Sequence, residues 1–348
     1  MKTRILHSGG RTLEVTALCL GVMYLGVRED ERTSYEVLDR FYEHGGRFFD
    51  TANNYGGWTE ASHGSTSGDS ERLLGRWIAD RGVAGEIVVS TKCGAGKRDP
   101  ERTLSMELPT NFEGLSAEVV RSELKGSLER LGLDRVGVYI GHVDDRDLDA
   151  TEIADTFSAL ADEGLITVPG LSNTATWRLA LARRHSGDHG RPEFGVWQQH
   201  HSLYWPVPGV DESTRVTPEA VDYAADQPEL TIMTYSPQQG GQLARPWMPI
   251  QDCYNHPGSE QRLRRAHQIA HELGATVNQV VMAWHLAGVR SSLHYVPGSH
   301  SSPADALPAR RAAMIPVFSA SSAAQVDEAV GAVTLDLPPD HLSALDTP

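Results

Sequence analysis

Four residues of this chain carry the groups needed to place a proton on a carbonyl oxygen: Asp50, Tyr55, Lys92 and His142. A tyrosine hydroxyl is a weak acid at neutral pH, with an ordinary pKa of about 10. An ammonium beside it stabilises the phenolate left by proton loss, which eases the transfer. A carboxylate next to that ammonium keeps it charged and oriented, and an imidazole can hydrogen-bond the substrate oxygen. Singly, each has an ordinary structural explanation. Asp50 could cap a turn, Tyr55 could pack in a loop, Lys92 could sit on the surface, and His142 could be a satisfied strand-end histidine. Together, at or just beyond the ends of apolar runs, they point to chemistry.

Those runs read as strands at Ala17–Leu20, Arg47–Asp50, Ile87–Thr91, Val136–Ile140, Ile166–Leu171, Gly195–Gln198, Leu230–Tyr235 and Met314–Val317, which makes eight. Amphipathic stretches separate them. Thr33 or Ser34 caps a helix carrying Val37, Leu38 and Phe41; Asp69 precedes a helix over 70–78; Ser116 precedes Val119, Val120, Leu124, Leu128 and Leu131 on one apolar stripe. Further helices are expected near 153–163, 174–184, 217–226, 260–273, 276–287 and 323–330, with Pro218 at a first helical position. Helices between strands favour parallel pairing through right-handed crossovers. Eight such units predict an α/β fold of the closed (β/α)8, or TIM, barrel type, in one domain over residues 1–348. An open doubly wound sheet is the alternative, but no Gly-x-Gly-x-x-Gly follows the first run. Long loops over 51–68, 91–114 and 288–313 would crowd the C-terminal face, where barrel enzymes place their sites, the last of them as an insertion.

Composition narrows the partners. Of 348 residues, 40% are hydrophobic and 22% charged, enough to bury a core, and the net charge of −15 disfavours nucleic acid and anionic membranes. No apolar run is long enough to span a bilayer. The N-terminal residues lack a signal-like apolar core, and three widely spaced cysteines, Cys19, Cys93 and Cys253, fit a reducing cytoplasm.

The chain resembles the aldo-keto reductase superfamily over nearly its whole length. The resemblance is carried by Phe49-Asp50-Thr51-Ala52-Asn53-Asn54-Tyr55-Gly56, Asp69-Ser70-Glu71-Arg72-Leu73-Leu74-Gly75, Val89-Ser90-Thr91-Lys92 and Ile140-Gly141-His142. Gly170-Leu171-Ser172-Asn173, Thr234-Tyr235-Ser236-Pro237 and the segment from Ile315-Pro316 to Glu328 complete it. It implies reduction of an aldehyde or ketone to an alcohol, with Asp50, Tyr55, Lys92 and His142 as the catalytic tetrad and Tyr55 as general acid. It also implies a nicotinamide cofactor, NADPH with NADH as the alternative. Ser172, Asn173 and Gln198 match positions that hydrogen-bond the carboxamide, and Tyr235 matches the ring stacked on the nicotinamide. Ser236, Pro237 and the 238–243 stretch, including Gln238, Gly240 and Leu243, match the loop over the pyrophosphate. Ser319, Ser321, Gln325 and Glu328 fall at the adenosine end.

The chain departs from the family pattern in two places. Residues 319–328 contain no lysine or arginine to grip a 2′-phosphate, which leaves Arg310 and Arg311 upstream as the available cations. After the sixth run stands Gln199-His200-His201-Ser202 where many relatives carry asparagine or tyrosine. Tyr24, Trp58, His201 and Trp205 are the expected substrate contacts, with His63, Phe112 and Tyr254 in the same loops, and these suit a polar, ring-bearing carbonyl such as a sugar or a secondary-metabolite ketone. Two other functions fit a barrel with fifteen histidines. One is a metal-dependent hydrolase, although neither His-x-His nor His-Glu-x-x-His is present, so no metal ligands are assigned. The other is a cofactor-binding sensor or subunit.

Overall fold

The computed structural model describes residues 1–57, 66–99, 111–210, 214–290 and 310–347. Eight parallel strands close a barrel: β3 (Cys19–Gly21), β4 (Phe48–Asp50), β5 (Val88–Cys93), β6 (Val136–Gly141), β7 (Ile166–Ser172), β8 (Val196–His200), β9 (Thr231–Tyr235) and β12 (Met314–Phe318). β12 pairs with both β9 and β3, which completes the ring. The expected (β/α)8 barrel is the fold.

Each strand lies close to its predicted run, because short apolar runs buried on both faces have few other places to go. The inward positions form one cluster in which Phe48, Val138, Ile140, Val168, Val196, Met233 and Ile315 meet. A larger cluster packs the helices on the outside of the strands. These helices are α1 (Glu31–Glu43), α2 (Asp69–Arg81), α3 (Ala117–Leu131), α4 (Ala150–Asp162), α5 (Thr176–Asp188), α6 (Pro218–Asp226), α7 (Pro257–Leu273), α8 (Val277–Leu286), α9 (Ala323–Gly331) and α10 (Pro339–Asp346).

Several boundaries differ from expectation for identifiable reasons. α1 begins earlier than predicted because Asp30, rather than Thr33 or Ser34, is the cap; its side chain accepts from Thr33 N at 2.7 Å. Ser116 and Thr217 cap α3 and α6 as expected, and Thr276 with Gln279 forms a capping box on α8. Two strand pairs and the last helix, α10, were not predicted. β1 (Thr3–Ser8) and β2 (Arg11–Thr16) form a hairpin around Gly9 and Gly10, both at positive φ, and its Leu6 and Val15 join the inner cluster as the floor of the barrel. β10 (Val289–Arg290) and β11 (Arg311–Ala312) pair antiparallel and bracket the expected insertion, whose residues 291–309 lie outside the described residues.

The Asp69–Gly75 motif builds the scaffold beside the mouth. Ser70 Oγ donates to Val22 O at 2.8 Å, and fully buried Glu71 accepts from Thr91 Oγ1 and pairs with Arg130 Nε at 2.6 Å. These contacts tie α2 to β5 and α3. Gly75 lets α2 approach α3: a Cβ there would stand 2.3 Å from Arg130 O, a backbone atom that cannot swing away. Gly75→Ala is therefore expected to cost about 1–3 kcal/mol through overpacking, read as a lowered denaturation midpoint at unchanged m-value.

Candidate active site

The barrel brings the four polar residues of the tetrad to one rim. Asp50 ends β4 and pairs in register with Ser90 of β5, and Lys92 lies two residues beyond Ser90 on the same face. His142 follows β6 directly, its backbone N–H donating to Cys93 O at 2.8 Å. Tyr55 sits in the tight turn after β4, where Gly56 has φ +110° and a Cβ would meet Thr66 O at 2.2 Å.

Lys92 Nζ is the hub. It donates to Asp50 Oδ2 at 2.5 Å, to Thr51 O at 2.7 Å and to Tyr55 Oη at 3.2 Å, with no solvent exposure of its own. The other carboxylate oxygen, Asp50 Oδ1, accepts from Ser90 Oγ at 2.9 Å and Gln198 Nε2 at 3.0 Å. The buried ion pair is thus fully hydrogen-bonded, the condition under which burial of two charges is tolerable. The His142 ring meets the Tyr55 ring edge-on, with centroids 5.7 Å apart.

The electrostatics set the protonation states. Burial opposes the Lys92 charge, but Asp50 and Tyr55 outweigh it and the ammonium is held above the ordinary lysine value. Burial also pushes Tyr55 up, and Lys92 offsets this only in part, so the hydroxyl is protonated at neutral pH. Against the expectation that Lys92 makes the proton easier to give up, desolvation of the hydroxyl is the larger influence. Burial, aided by Lys92, holds His142 well below its usual range, so its imidazole is neutral. Such a set can present a neutral acid, a fixed cation behind it and a neutral imidazole to one substrate oxygen.

The expected cofactor residues continue from the tetrad along the rim. Asn173, at φ +53°, donates from Nδ2 to His142 O at 2.8 Å and to Ser172 Oγ at 3.1 Å, while its Oδ1 accepts from Tyr235 Oη at 2.8 Å. This chain of bonds fixes the Tyr235 ring relative to His142. Ser236, at φ +56°, is exposed; buried Pro237 and half-buried Gln238 lead into a 3-10 turn over Gln239–Ala244. Gly240 and Gly241 have positive φ there, and the buried Leu243 lends its carbonyl to His267 Nε2. At the far end Ser319 and Ser321 are exposed, Ser321 N and Oγ donate to Gln325 Oε1, and Glu328 accepts from Asn278 Nδ2 at 3.2 and 3.3 Å.

Ser90, Thr51 and Asn278 are missing from the sequence-derived set. The two-residue period linking Ser90 to Lys92 was the available signal for the first. The two cations suggested for a 2′-phosphate are engaged elsewhere: Arg310 with Asp226 at 2.9 Å and Arg311 with Asp346 at 2.7 Å.

The substrate residues divide. The half-buried Tyr24 carries the Arg28 guanidinium 4.1 Å over its ring and lies close enough to Tyr55 to influence it. Phe112 packs with Ala95 and Val143, beside His142. Trp58 and His63 lie outside the described residues. His201 departs from the expectation: its ring packs on Trp284 and His285, with centroids 5.2 and 5.1 Å away, and so turns toward α8. Trp205 goes with it, its carbonyl accepting from His256 Nε2 at 2.9 Å and its ring 5.9 Å from the Arg262 guanidinium. His200 instead stands edge-on to Tyr235 and stacks on Tyr254. Among the described residues no group of three or more His, Cys, Asp or Glu side chains is arranged to hold a metal ion.

The buried histidines make the fold acid-sensitive. Burial lowers His200 to about 3 and His285 to about 4. Above the ordinary value of about 6.5 these groups are neutral folded or unfolded. Below it the unfolded chain gains protons that the folded chain refuses, and stability falls by about 1.4 kcal/mol per pH unit per histidine until the folded value is reached. His285→Gln is expected to remove one such proton from the slope between about pH 6 and 4, measured from urea midpoints along a pH series.

The Aldo/keto reductase family model matches residues 17–347. An uncharacterized oxidoreductase, YrpG, of Bacillus subtilis (strain 168) is 34% identical over 236 residues, which are 67% of this chain and 66% of that protein. Norsolorinic acid reductase B of Aspergillus parasiticus is 30% identical over 198 residues, 55% of this chain and 48% of that protein. A norsolorinic acid reductase of Aspergillus flavus is 33% identical over 208 residues, 57% and 50% of the two chains. The chain thus spans just under two thirds of the bacterial relative and about half the length of the fungal ones. With a closed barrel, this rim and a match over nearly every residue, the chain belongs to the aldo/keto reductase family.

Proposed function

We propose that this chain is one catalytic barrel domain that reduces an aldehyde or ketone to an alcohol with a reduced nicotinamide dinucleotide. The observation that carries the reading is Lys92 Nζ, hydrogen-bonded at once to the Asp50 carboxylate and the Tyr55 hydroxyl. The residues around it suit the cofactor. No hydrogen bond among the described residues uses Gln198 Oε1, which leaves an acceptor for a carboxamide N–H beside Asn173 and Ser172. Asn278 Oδ1 is buried without a partner among the described residues, next to Glu328, which leaves acceptors for an adenine amine at the other end. Tyr235, held by Asn173, offers a flat face for the nicotinamide.

When bound, the reduced nicotinamide supplies a hydride to the carbonyl carbon. Tyr55 gives its proton to the carbonyl oxygen, Lys92 stabilises the phenolate, and Asp50 holds Lys92 in place. The neutral His142 hydrogen-bonds the same oxygen and sets its angle. The barrel contributes orientation, with donor, acceptor and acid fixed before reaction. Tyr24, Phe112 and Tyr55 suit an aromatic carbonyl, and relatives named as norsolorinic acid reductases and as an aryl-alcohol dehydrogenase support that class.

NADPH is the cofactor implied by the family. Since Arg310 and Arg311 are both paired elsewhere, its dissociation constant is expected to lie within about tenfold of that for NADH, a difference of about 1.4 kcal/mol. Fluorescence titrations with both cofactors, followed by turnover of an aryl aldehyde in the presence of a chelator, test the reading. Saturable binding and chelator-resistant turnover support it. Failure to bind either dinucleotide overturns it. The three free cysteines fit a reducing cytoplasm as its place of action.

A further inference from the structure

A cavity of about 40 Å³, lined in part by His200, lies between the segment after β8 and helices α6, α7, α8 and α10. None of Asp50, Tyr55, Lys92 or His142 lines it. Among the described residues Arg262 and Arg290 line it, together with Arg215, which has a partner of its own, and with the carboxylate of Asp346. That carboxylate is already engaged by Arg311, at 2.7 and 3.2 Å, and by Trp284 Nε1 at 2.8 Å.

Arg262 is the key group. It is 3% exposed and forms no ion pair among the described residues. Its guanidinium donates to three backbone carbonyls, those of Leu203 at 2.5 Å, Leu345 at 2.8 Å and Thr347. A guanidinium has five N–H donors, so two remain. Arg265 lies nearby and adds a second positive field, with Nη1 bonded to Ala344 O. The Asp346 carboxylate favours the Arg262 charge but is shared with Arg311, and carbonyl dipoles solvate a cation without cancelling its charge, so a further negative group would stabilise it. A second polar group is also left over. His201, a residue of the cavity wall, has a buried Nε2 with no hydrogen-bond partner among the described residues. As a neutral imidazole, with its ring fixed between Trp284 and His285, it can present an N–H from that nitrogen.

We propose that this cavity is a binding site for a small monovalent anion, a halide or a carboxylate of one or two carbons, bound by Arg262 and His201. The volume accepts a few non-hydrogen atoms and excludes a nucleotide or a sugar phosphate. The anion supplies this further negative charge and an acceptor for His201. It also links the segment after β8, through Leu203 and His201, to α7 and to the carbonyls that end α10. None of the four tetrad residues lines the cavity, so its test does not depend on turnover.

The test is thermal unfolding of the full chain at fixed pH and ionic strength, with gluconate replaced stepwise by chloride, bromide, formate or acetate. A saturable rise in midpoint of about 3–5 °C is expected with at least one of them. A rise with the halides identifies a halide site, and a rise with formate or acetate alone identifies a carboxylate site; either supports the proposal. Bromide-soaked crystals should then show an anomalous peak within hydrogen-bond distance of Arg262 if halides bind. His201→Phe, which removes the imidazole donor, should abolish the saturable rise. Should that variant fail to fold, Arg262→Lys, which keeps the charge but loses the fork of donors, should weaken the midpoint concentration at least tenfold. No saturable rise with any of the four anions, or an undiminished rise in these variants, overturns the proposal.

Discussion

Tyr55→Phe is expected to lower carbonyl turnover by about 10²–10⁴-fold while leaving dinucleotide affinity within about twofold of the parent. The substitution deletes one oxygen and nothing else. The ring keeps its edge-on contact with His142, and Lys92 keeps Asp50 at 2.5 Å and Thr51 O at 2.7 Å. What is lost is the proton that must reach the substrate oxygen as the hydride arrives. A loss in kcat and kcat/KM alike marks a group used only in the transition state. The pH dependence follows from the direction of the shift: with Tyr55 raised above its ordinary value, reduction should hold its rate from neutral pH to beyond about pH 10 and fall only as the phenol ionises. Oxidation of the alcohol needs the phenolate and should rise over the same range. A Tyr55→Phe enzyme with undiminished kcat assigns the acid elsewhere.

Lys92→Met carries the second large effect, and it acts on stability as well as activity. Removing the ammonium leaves Asp50 as a buried carboxylate with two neutral donors, Ser90 and Gln198, and no counter-charge. Breaking a buried pair from one side costs about 3–5 kcal/mol. The double variant Asp50→Asn with Lys92→Met removes both charges and should recover most of that loss, while turnover stays depressed by more than about 10²-fold. The sign of the linkage is fixed by the raised lysine value. The contribution of Lys92 to stability is complete below the ordinary value of about 10.4 and is lost as pH rises through the folded value, so parent and variant should converge in strongly alkaline solution. Urea titrations of parent, single and double variants measure this directly. Equal stability of the parent and the single variant contradicts a buried, mutually dependent pair.

The same physics explains what could be read before the structure. Asp50, Lys92 and His142 were legible because a polar residue ending an apolar strand must point into the barrel mouth or waste its burial, and parallel register then brings neighbouring strand ends together. The hairpin over residues 3–16 was missed although Gly9-Gly10 between alternating residues was in view; its strands floor the barrel and add nothing to the eightfold count. His201 and Trp205 went astray for a different reason. Past the end of β8 at His200 the two-residue period no longer governs side-chain direction, and packing against Trp284 decided it. Arg310 and Arg311 pair with Asp226 and Asp346, partners that sequence proximity to β12 does not reveal. Asn278 lies far along the chain from Glu328, and only the contact between α8 and α9 brings the two together.

The central claim, that this rim moves a hydride to a carbonyl carbon while Tyr55 protonates its oxygen, is tested most directly by isotope transfer. An aryl aldehyde would be reduced with NADPH deuterated at the transferable nicotinamide position, and the alcohol analysed by mass spectrometry. The account predicts one deuterium on the carbinol carbon of every product molecule and a hydroxyl hydrogen that comes from solvent. An alcohol formed without cofactor deuterium, at the full parent rate, would contradict it.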